Sequence, residues 1–180
     1  YNNSGGKKMF YPWCVVGERR EWRSKHFPKP RPIYNLPALV ANPEAAVVVV
    51  EGEKCADAGA ALNLPGVVFT TWAGGSGVAH IDKAEWTALA GRRVIVWGDL
   101  DDTGQKAKQR ILSMLHEVGA AEAFTIEAPE KPAKWDCAEA VAAGFVTRVL
   151  PEGETLAAAR GACDKICALP TGSVRLTRKL

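Results

Sequence analysis

Hydrophobic and polar residues follow two alternating patterns from residue 45 onward. Short runs of β-branched and apolar residues predict strands, and segments with apolar residues every three or four positions predict helices. The predicted strands cover residues 47–50, 66–71, 93–97 and 123–126, and the predicted helices cover 53–61, 103–119 and 135–143. This alternation predicts an α/β domain with about four parallel strands flanked by helices.

The first 33 residues have a different pattern. Two apolar-rich runs, 8–15 and 21–27, flank a polar segment at 17–20, which predicts an antiparallel strand pair. Pro28, Pro30 and Pro32 then predict an extended connector without regular structure, followed by a short helix over 34–41.

The end of the chain adds an alanine-rich segment, which predicts a helix near 154–168, and a basic tail. We therefore predict three parts: a basic β-rich leader that binds nucleic acid (1–33), a catalytic domain (34–148), and a helix with a basic linker (149–180). The first residue is Tyr, which suggests a segment of a longer protein.

The composition is 47% hydrophobic and 24% charged, as in a globular protein, and excludes a fibrous or disordered chain. No apolar run is long enough to cross a membrane, so we expect no membrane partner. The five cysteines, at positions 14, 55, 137, 163 and 167, are odd in number and suggest reduced thiols. We therefore expect a cytoplasmic protein in a bacterial host cell.

Positive charge is concentrated in the leader. Residues 1–33 contain eight Lys and Arg but only two Glu, whereas the whole chain has a net charge of +3. A basic leader on a mildly acidic body predicts a polyanionic partner.

Acidic residues follow two of the predicted strands. Glu51 comes directly after the first strand, and Asp99 and Asp101 come after the third. Ligands of open parallel sheets bind beyond the carboxyl ends of the strands. If these two strands are neighbours, the carboxylates converge on one edge of the sheet and need a divalent cation such as Mg²⁺. Asp102 precedes a predicted helix with Gln105 three residues later, which predicts a helix N-cap.

Glu51-Gly52 after one apolar strand, with Asp99-x-Asp101 after a later one, resembles the Toprim domain of primases, topoisomerases and nucleases. Further strings resemble Toprim segments of phage and plasmid DNA primases; they lie at residues 34–39, 49–58, 70–75, 89–94, 99–107 and 135–140. Gly98 departs from that subfamily, which usually has Pro there.

The resemblance implies a Toprim (Rossmann-like) fold and a DNA primase, a nucleotidyltransferase that makes short RNA primers on a single-stranded DNA template. It implies ribonucleoside triphosphates as substrates and a helicase or other replication domain as partner, in a phage, plasmid or mobile element. It also implies that Glu51 is a catalytic acid or metal ligand and that Asp99 and Asp101 bind Mg²⁺ or Mn²⁺.

Several other side chains are candidates for contacts with nucleotides or nucleic acid. Trp22 is placed to stack on bases, or else lies in a core, and Lys54 either pairs with a phosphate or forms a salt bridge with a site carboxylate. Asp136 is either an outer metal ligand or a helix N-cap with Glu139. The remaining candidates for phosphate or nucleic-acid contact are Lys7, Lys8, Arg19, Arg20, Arg23, Gly74, Gly75 and Lys106.

Two other functions are compatible with these residues. A Toprim metal-dependent DNA nuclease would use the same acids to activate water. A non-catalytic adaptor would only bind nucleic acid, and would have no need for the mutual repulsion of Glu51, Asp99 and Asp101.

Overall fold

The computed structural model describes residues 12–17, 20–74, 77–99, 101–126 and 136–142. All of them lie in the first of two units into which the chain divides, Tyr1–Phe145 and Val146–Leu180. The strands are β1 (Cys14–Val16), β2 (Glu21–Arg23), β3 (Arg31–Pro32), β4 (Ala46–Val50), β5 (Val67–Thr70), β6 (Ala84–Glu85), β7 (Arg93–Trp97) and β8 (Glu122–Thr125). The helices are α1 (Leu36–Ala41), α2 (Glu53–Ala60), α3 (Val78–Ile81), α4 (Asp102–Glu117) and α5 (Cys137–Ala142), with a 3₁₀ turn at Thr87–Leu89.

The main sheet has four parallel strands in the order β5-β4-β7-β8. Strand β4 lies inside the sheet, and its four valines, Val47 to Val50, are all buried, as expected for a strand covered on both faces. Val50 is in register with Trp97, so β4 and β7 end side by side. The predicted α/β architecture with four parallel strands flanked by helices is confirmed.

Helix α4 covers the sheet with residues spaced four apart. Ala107, Ile111 and Leu115 are each at most 1% exposed, which is the buried face that the 3.6-residue period requires. Trp72 and Trp86 fill the same core with ring centroids 6.4 Å apart, and the Trp86 indole N–H donates to the Ile81 carbonyl at 2.9 Å.

The predicted antiparallel pair near the start of the described chain is present as β1 and β2, with Val15 opposite Trp22. The connector after it differs from the prediction. Arg31–Pro32 forms a short parallel pairing with β6, because the Arg31 N–H donates to the Lys83 carbonyl at 2.6 Å and Pro32, which has no N–H, only ends the strand. Strand β6, helix α3 and the 3₁₀ turn were not predicted.

Some expectations lie outside the described residues. These are the part of the first strand before residue 12, the helix near 154–168 and the basic tail. The three-part division of the chain stays a prediction. Within the described residues, no helix has the length and apolar character needed to cross a membrane.

Arg92 fastens helix α1 to the amino end of the sheet. Its guanidinium donates to the carbonyls of Leu39 and Asn42 at 2.8 Å each, and its Nε donates to Ala88 at 3.0 Å. The Leu39 and Asn42 carbonyls also accept from the N–H groups of Asn42 at 3.3 Å and Ala45 at 3.2 Å, so Arg92 adds a charged second donor at the end of α1.

We predict that Arg92→Met lowers the free energy of unfolding by about 2 to 3 kcal/mol, because several partly buried carbonyls lose a charged donor. The neighbouring Arg93→Met is the control: Arg93 forms an exposed ion pair with Glu122, and such a pair contributes about 0 to 1 kcal/mol. Urea denaturation of both variants measures the difference, and equal losses would contradict this role of Arg92.

Candidate functional site

The carboxyl ends of β4 and β7 carry the candidate acids. Glu51 directly follows β4, and Asp99 follows β7 after the single residue Gly98. Because these two strands are neighbours in register, the two carboxylates reach the same edge of the sheet, as the sequence predicts.

Glu51 is partly buried, and its Oε2 atom is buried without a hydrogen-bond partner. Burial raises the pKa of Glu51 above its ordinary value, and the nearby Asp101 carboxylate raises it further, while the backbone N–H of Asp99 opposes both effects. A buried carboxylate oxygen without a donor is costly for the protein unless a cation or a proton is present.

Of the clustered carboxylates, Asp99 has the largest change in pKa. Burial, followed by the charges of Glu51, Asp136, Asp101 and Glu139, raises its pKa from 3.8 to about 7. Without a cation, a large fraction of Asp99 therefore holds a proton at neutral pH.

Asp101 begins helix α4. Its Oδ1 accepts a hydrogen bond from the Gly104 N–H at 2.8 Å, so Asp101 is the N-cap. The expectation that Asp102 caps this helix is wrong: Asp102 is an exposed residue of the first turn, where its charge favours the helix dipole. One oxygen of Asp101 is thus used by the helix while its charge still acts on Glu51 and Asp99.

Two glycines, Gly52 and Gly104, shape the backbone next to Glu51 and Asp99. Gly52 has a φ of 90°, which favours glycine, and its N–H donates to the Thr71 hydroxyl at 3.0 Å. A Cβ atom on Gly104 would overlap the carbonyl oxygen of Asp99. The sequence alone assigns no role to Thr71 or Gly104, although both lie in segments that resemble primase Toprim domains, at residues 70–75 and 99–107.

Lys54 and Asp136 form an ion pair at 3.3 Å between α2 and the start of α5. The Lys54 side chain is 72% exposed, and its hydrogen bond with Asp136 raises its pKa. Asp136 also forms the predicted capping box with Glu139: Asp136 Oδ1 accepts from the Glu139 N–H at 2.7 Å. Of the two alternatives for Lys54, a phosphate contact or a salt bridge, the structure shows the salt bridge. Its partner Asp136 is one of the carboxylates that raise the pKa of Asp99.

Two thiols lie beneath this ion pair. Cys55 and Cys137 are buried, and burial is the main cause that raises the thiol pKa to about 11 and about 12, respectively. Both thiols are protonated at neutral pH, so they act as apolar packing groups rather than nucleophiles. With Cys14 they are free cysteines, as the sequence predicts for the part of the chain that is described.

The predicted nucleic-acid contacts are partly described. Trp22 is 68% exposed, and Arg23 beside it forms an exposed ion pair with Glu21 at 2.8 Å. Arg20, Gly74 and Lys106 are exposed. Lys7, Lys8, Arg19 and Gly75 lie outside the described residues. Contact of these residues with nucleic acid stays a prediction.

The donor set suits a hard divalent cation, because Glu51 has an unpaired buried oxygen and Asp99 is held among like charges. In the described part of the chain, however, no group of three or more His, Cys, Asp or Glu side chains is arranged to hold a metal ion. The hydrogen bond from Gly104 to Asp101 directs one of the three candidate carboxylates to the helix. Magnesium takes one or two protein carboxylates directly and completes its shell with water, so Glu51 and Asp99 are the core of the candidate site.

We predict that Asp99→Asn stabilises the protein at pH 8 in the absence of divalent cations. The folded state raises the pKa of Asp99, so it binds more protons than the unfolded state between about pH 4 and 7, and stability falls as pH rises through that range. Asn removes this loss, which we place at about 1 to 2 kcal/mol after allowing for solvent screening.

Thermal melts at pH 5 and pH 8 with a chelator measure the effect. The control Asp102→Asn removes an adjacent exposed carboxylate, and we expect it to melt slightly lower than wild type because the charge at the helix start is lost. A lower melting temperature of Asp99→Asn at pH 8 would contradict the electrostatic account.

We also predict that Gly104→Ala destabilises the protein, although Ala is the better helix former by about 1 kcal/mol. The added methyl group would displace the Asp99 carbonyl, and with it the acidic loop. Thr103→Ala, at an exposed position of the same turn, is the control. An increase in melting temperature for Gly104→Ala would show that the loop does not pack against α4 as described.

Comparison with protein families gives one result, and it bears on these residues. Residues 29–123, just over half of the chain, match the family model described as "Wadjet protein JetD, C-terminal", and this range includes Glu51, Asp99 and Asp101. No curated protein and no solved structure matches the chain.

Wadjet is a plasmid-defence system, and JetD is Toprim-like but not a primase. The identification as a primase Toprim domain, with primer synthesis as its function, is therefore wrong, and its template, nucleotide and helicase partners lose their basis. The chain belongs to the family of the C-terminal region of the Wadjet protein JetD.

Proposed function

We propose that this chain carries a divalent-metal-dependent nuclease site that hydrolyses phosphodiester bonds of plasmid DNA. The family supports DNA of plasmids as the target, because Wadjet is a plasmid-defence system. The acids at the edge of the sheet support hydrolysis, because they suit a cation that neutralises phosphate and activates water.

The observation that carries this proposal is the state of Glu51. Its Oε2 atom is buried and unpaired, and the neighbouring Asp99 has a pKa raised to about 7 by burial and by the surrounding carboxylates. A protein that only binds DNA gains nothing from uncompensated negative charge, which repels the phosphate backbone. A site that recruits a cation requires it.

Glu51 and Asp99 would hold Mg²⁺ or Mn²⁺, with Asp101 in support through its free oxygen. When bound, the cation supplies charge neutralisation of the phosphate and makes a water molecule more acidic. Cation binding requires deprotonated carboxylates, so Asp99 gives up its proton when the site is loaded.

The chain's own residues then position the water. Glu51 and Asp99 stay deprotonated, and the attacking water loses its proton to solvent. The water oxygen forms a bond to phosphorus, one phosphorus–oxygen ester bond breaks, and the leaving oxygen takes a proton from solvent. Asp101 remains fixed because its Oδ1 accepts from the Gly104 N–H of α4, which keeps this carboxylate in place during hydrolysis.

The partners follow from the family. We propose that the chain works within a Wadjet complex with other proteins of that system, in the cytoplasm where plasmid DNA is found. The exposed Trp22 and Arg20 of the β1–β2 pair are proposed to contact DNA.

The test is cleavage of supercoiled plasmid DNA with Mg²⁺ or Mn²⁺, by the chain alone and with its Wadjet partner proteins. We predict nicked or linear products that Glu51→Gln and Asp99→Asn reduce at least about 100-fold, because each removes a charge that the metal needs. Asp102→Asn, the neighbouring exposed acid, is expected to retain most of the wild-type rate.

Three outcomes would contradict the proposal. Equal cleavage by wild type and Asp99→Asn would indicate a contaminating nuclease. Equal loss in Asp102→Asn would indicate that general charge, rather than the site, matters. DNA binding without cleavage in the complete complex, and without stabilisation by divalent cations, would favour an adaptor.

A further inference from the structure

An open cavity with mostly apolar walls lies at the same end of the sheet as the candidate acids. Its volume is about 440 Å³, within the range of about 300 to 1,000 Å³ that is typical of ligand-binding clefts. The segment before α1, the start of α2 and the loop after β5 all contribute to its walls. The residues that line it include Phe27, Ile33, Tyr34, Leu36, Glu53 and Ala73.

The position of the cavity follows from the strand ends. Glu53, the first residue of α2, lines the cavity and is two residues after Glu51, and the loop after β5 lines it as well. Strand β5 pairs with β4 on the side opposite β7, so this loop follows the strand next to the one that ends at Glu51. Thr71 joins the two regions: its hydroxyl accepts from the Gly52 N–H at 3.0 Å, and its carbonyl accepts from the Tyr34 N–H at 2.8 Å.

Two aromatic rings line the cavity and remain open to solvent. Phe27 is 48% exposed and Tyr34 is 37% exposed, so core packing does not account for either ring. Tyr34 is held in place at both ends, because its hydroxyl donates to Asp57 at 2.8 Å and its carbonyl accepts from the Thr70 hydroxyl. A ring that is fixed before binding loses little conformational entropy when a ligand stacks on it.

The charge at the cavity restricts the kind of ligand. The described residues that line it include the exposed carboxylate of Glu53 but no Lys, Arg or His. A phosphate or a carboxylate would therefore be repelled. A flat uncharged ring with N–H groups on its edge fits better, because its faces can stack on the aromatic rings while its N–H groups donate to Glu53.

We propose that this cavity binds an unpaired nucleobase of the DNA strand whose backbone lies at Glu51 and Asp99. This inference rests on the proposed nuclease function, which brings a DNA strand to the adjacent strand ends. The base stacks on Phe27 and Tyr34, and Glu53 accepts a hydrogen bond from the base edge. Every base has a face that can stack, so the cavity holds the strand beside the cleaved bond without a strict sequence requirement.

The experiment measures DNA binding in a chelator, so it does not depend on cleavage. The full chain is titrated against a short fluorescein-labelled single-stranded DNA, and anisotropy gives the dissociation constant. We expect Phe27→Ala to weaken binding about tenfold without changing its salt dependence, because stacking is lost and no phosphate contact is. The matched control is Phe124→Ala: Phe124 is a 50% exposed phenylalanine of β8, at the opposite edge of the sheet, and this variant is expected to bind as wild type does.

A second ligand removes the bases instead of the ring. The same oligonucleotide made with abasic residues keeps every phosphate but has nothing to stack. Wild type is expected to bind it about tenfold more weakly than the normal strand, and Phe27→Ala is expected to bind it as wild type does, because the two changes remove the same interaction.

A third variant separates stacking from stability. Phe27→Leu keeps most of the apolar volume and removes the aromatic face, so it is expected to melt close to wild type and still to weaken binding of the normal strand severalfold. Thermal melts of both Phe27 variants accompany the titrations. If Phe27→Ala melts lower than wild type, the affinity of Phe27→Leu decides.

Four results would overturn the proposal. The first is unchanged affinity of Phe27→Leu for the normal strand, and the second is an equal loss of affinity in Phe124→Ala. The third is an equal loss for the abasic strand in Phe27→Ala, which would assign Phe27 to the DNA backbone. The fourth is unchanged DNA binding with lost binding to the Wadjet partner proteins, which would make the cavity a protein contact. Cleavage is not measured, so an inactive nuclease would leave all of these outcomes as they are.

Discussion

Repulsion between carboxylates at one edge of a parallel sheet is the constraint on which the site depends. Strands β4 and β7 lie side by side, and each ends in an acid, Glu51 and Asp99. Their proximity follows from the strand register, which pairs Val50 with Trp97 at the carboxyl ends of the two strands. The fold therefore holds negative charge together, and burial raises the pKa of both groups.

The surrounding residues hold this arrangement in place. Gly52 turns the chain after β4 and is tied to Thr71, and Gly104 leaves room for the Asp99 carbonyl against α4. Asp101 anchors its loop by capping the same helix. Lys54 offsets part of the negative charge through Asp136, although its exposed position limits that effect. The local stability lost to the acids is thus compensated by packing and capping around them.

The sequence predicts the fold well because the apolar runs are unambiguous, and Glu51 and Asp99 each lie just after a predicted strand. That these two strands are neighbours comes from the structure. It does not separate Asp101 from Asp102 as the helix cap, since both are acids next to the predicted start of the helix at residue 103. The structure decides, because the side chain that accepts from the Gly104 N–H is that of Asp101. Short elements such as α3 depend on tertiary contacts rather than on local pattern. The expected primase function is wrong because acids such as Glu51 and Asp99 are shared by Toprim-like proteins with different functions, so these residues do not distinguish a primase from JetD.

The most direct test of the account is calorimetric titration of Mn²⁺ into the protein at pH 7, in two buffers with different ionisation enthalpies. The account predicts saturable binding with release of protons, because Asp99 has a pKa of about 7 and must lose its proton to bind the cation. Glu51→Gln is expected to abolish this binding. Absence of binding in wild type, or equal binding and proton release in Glu51→Gln, would contradict the assignment of this sheet edge as a metal centre.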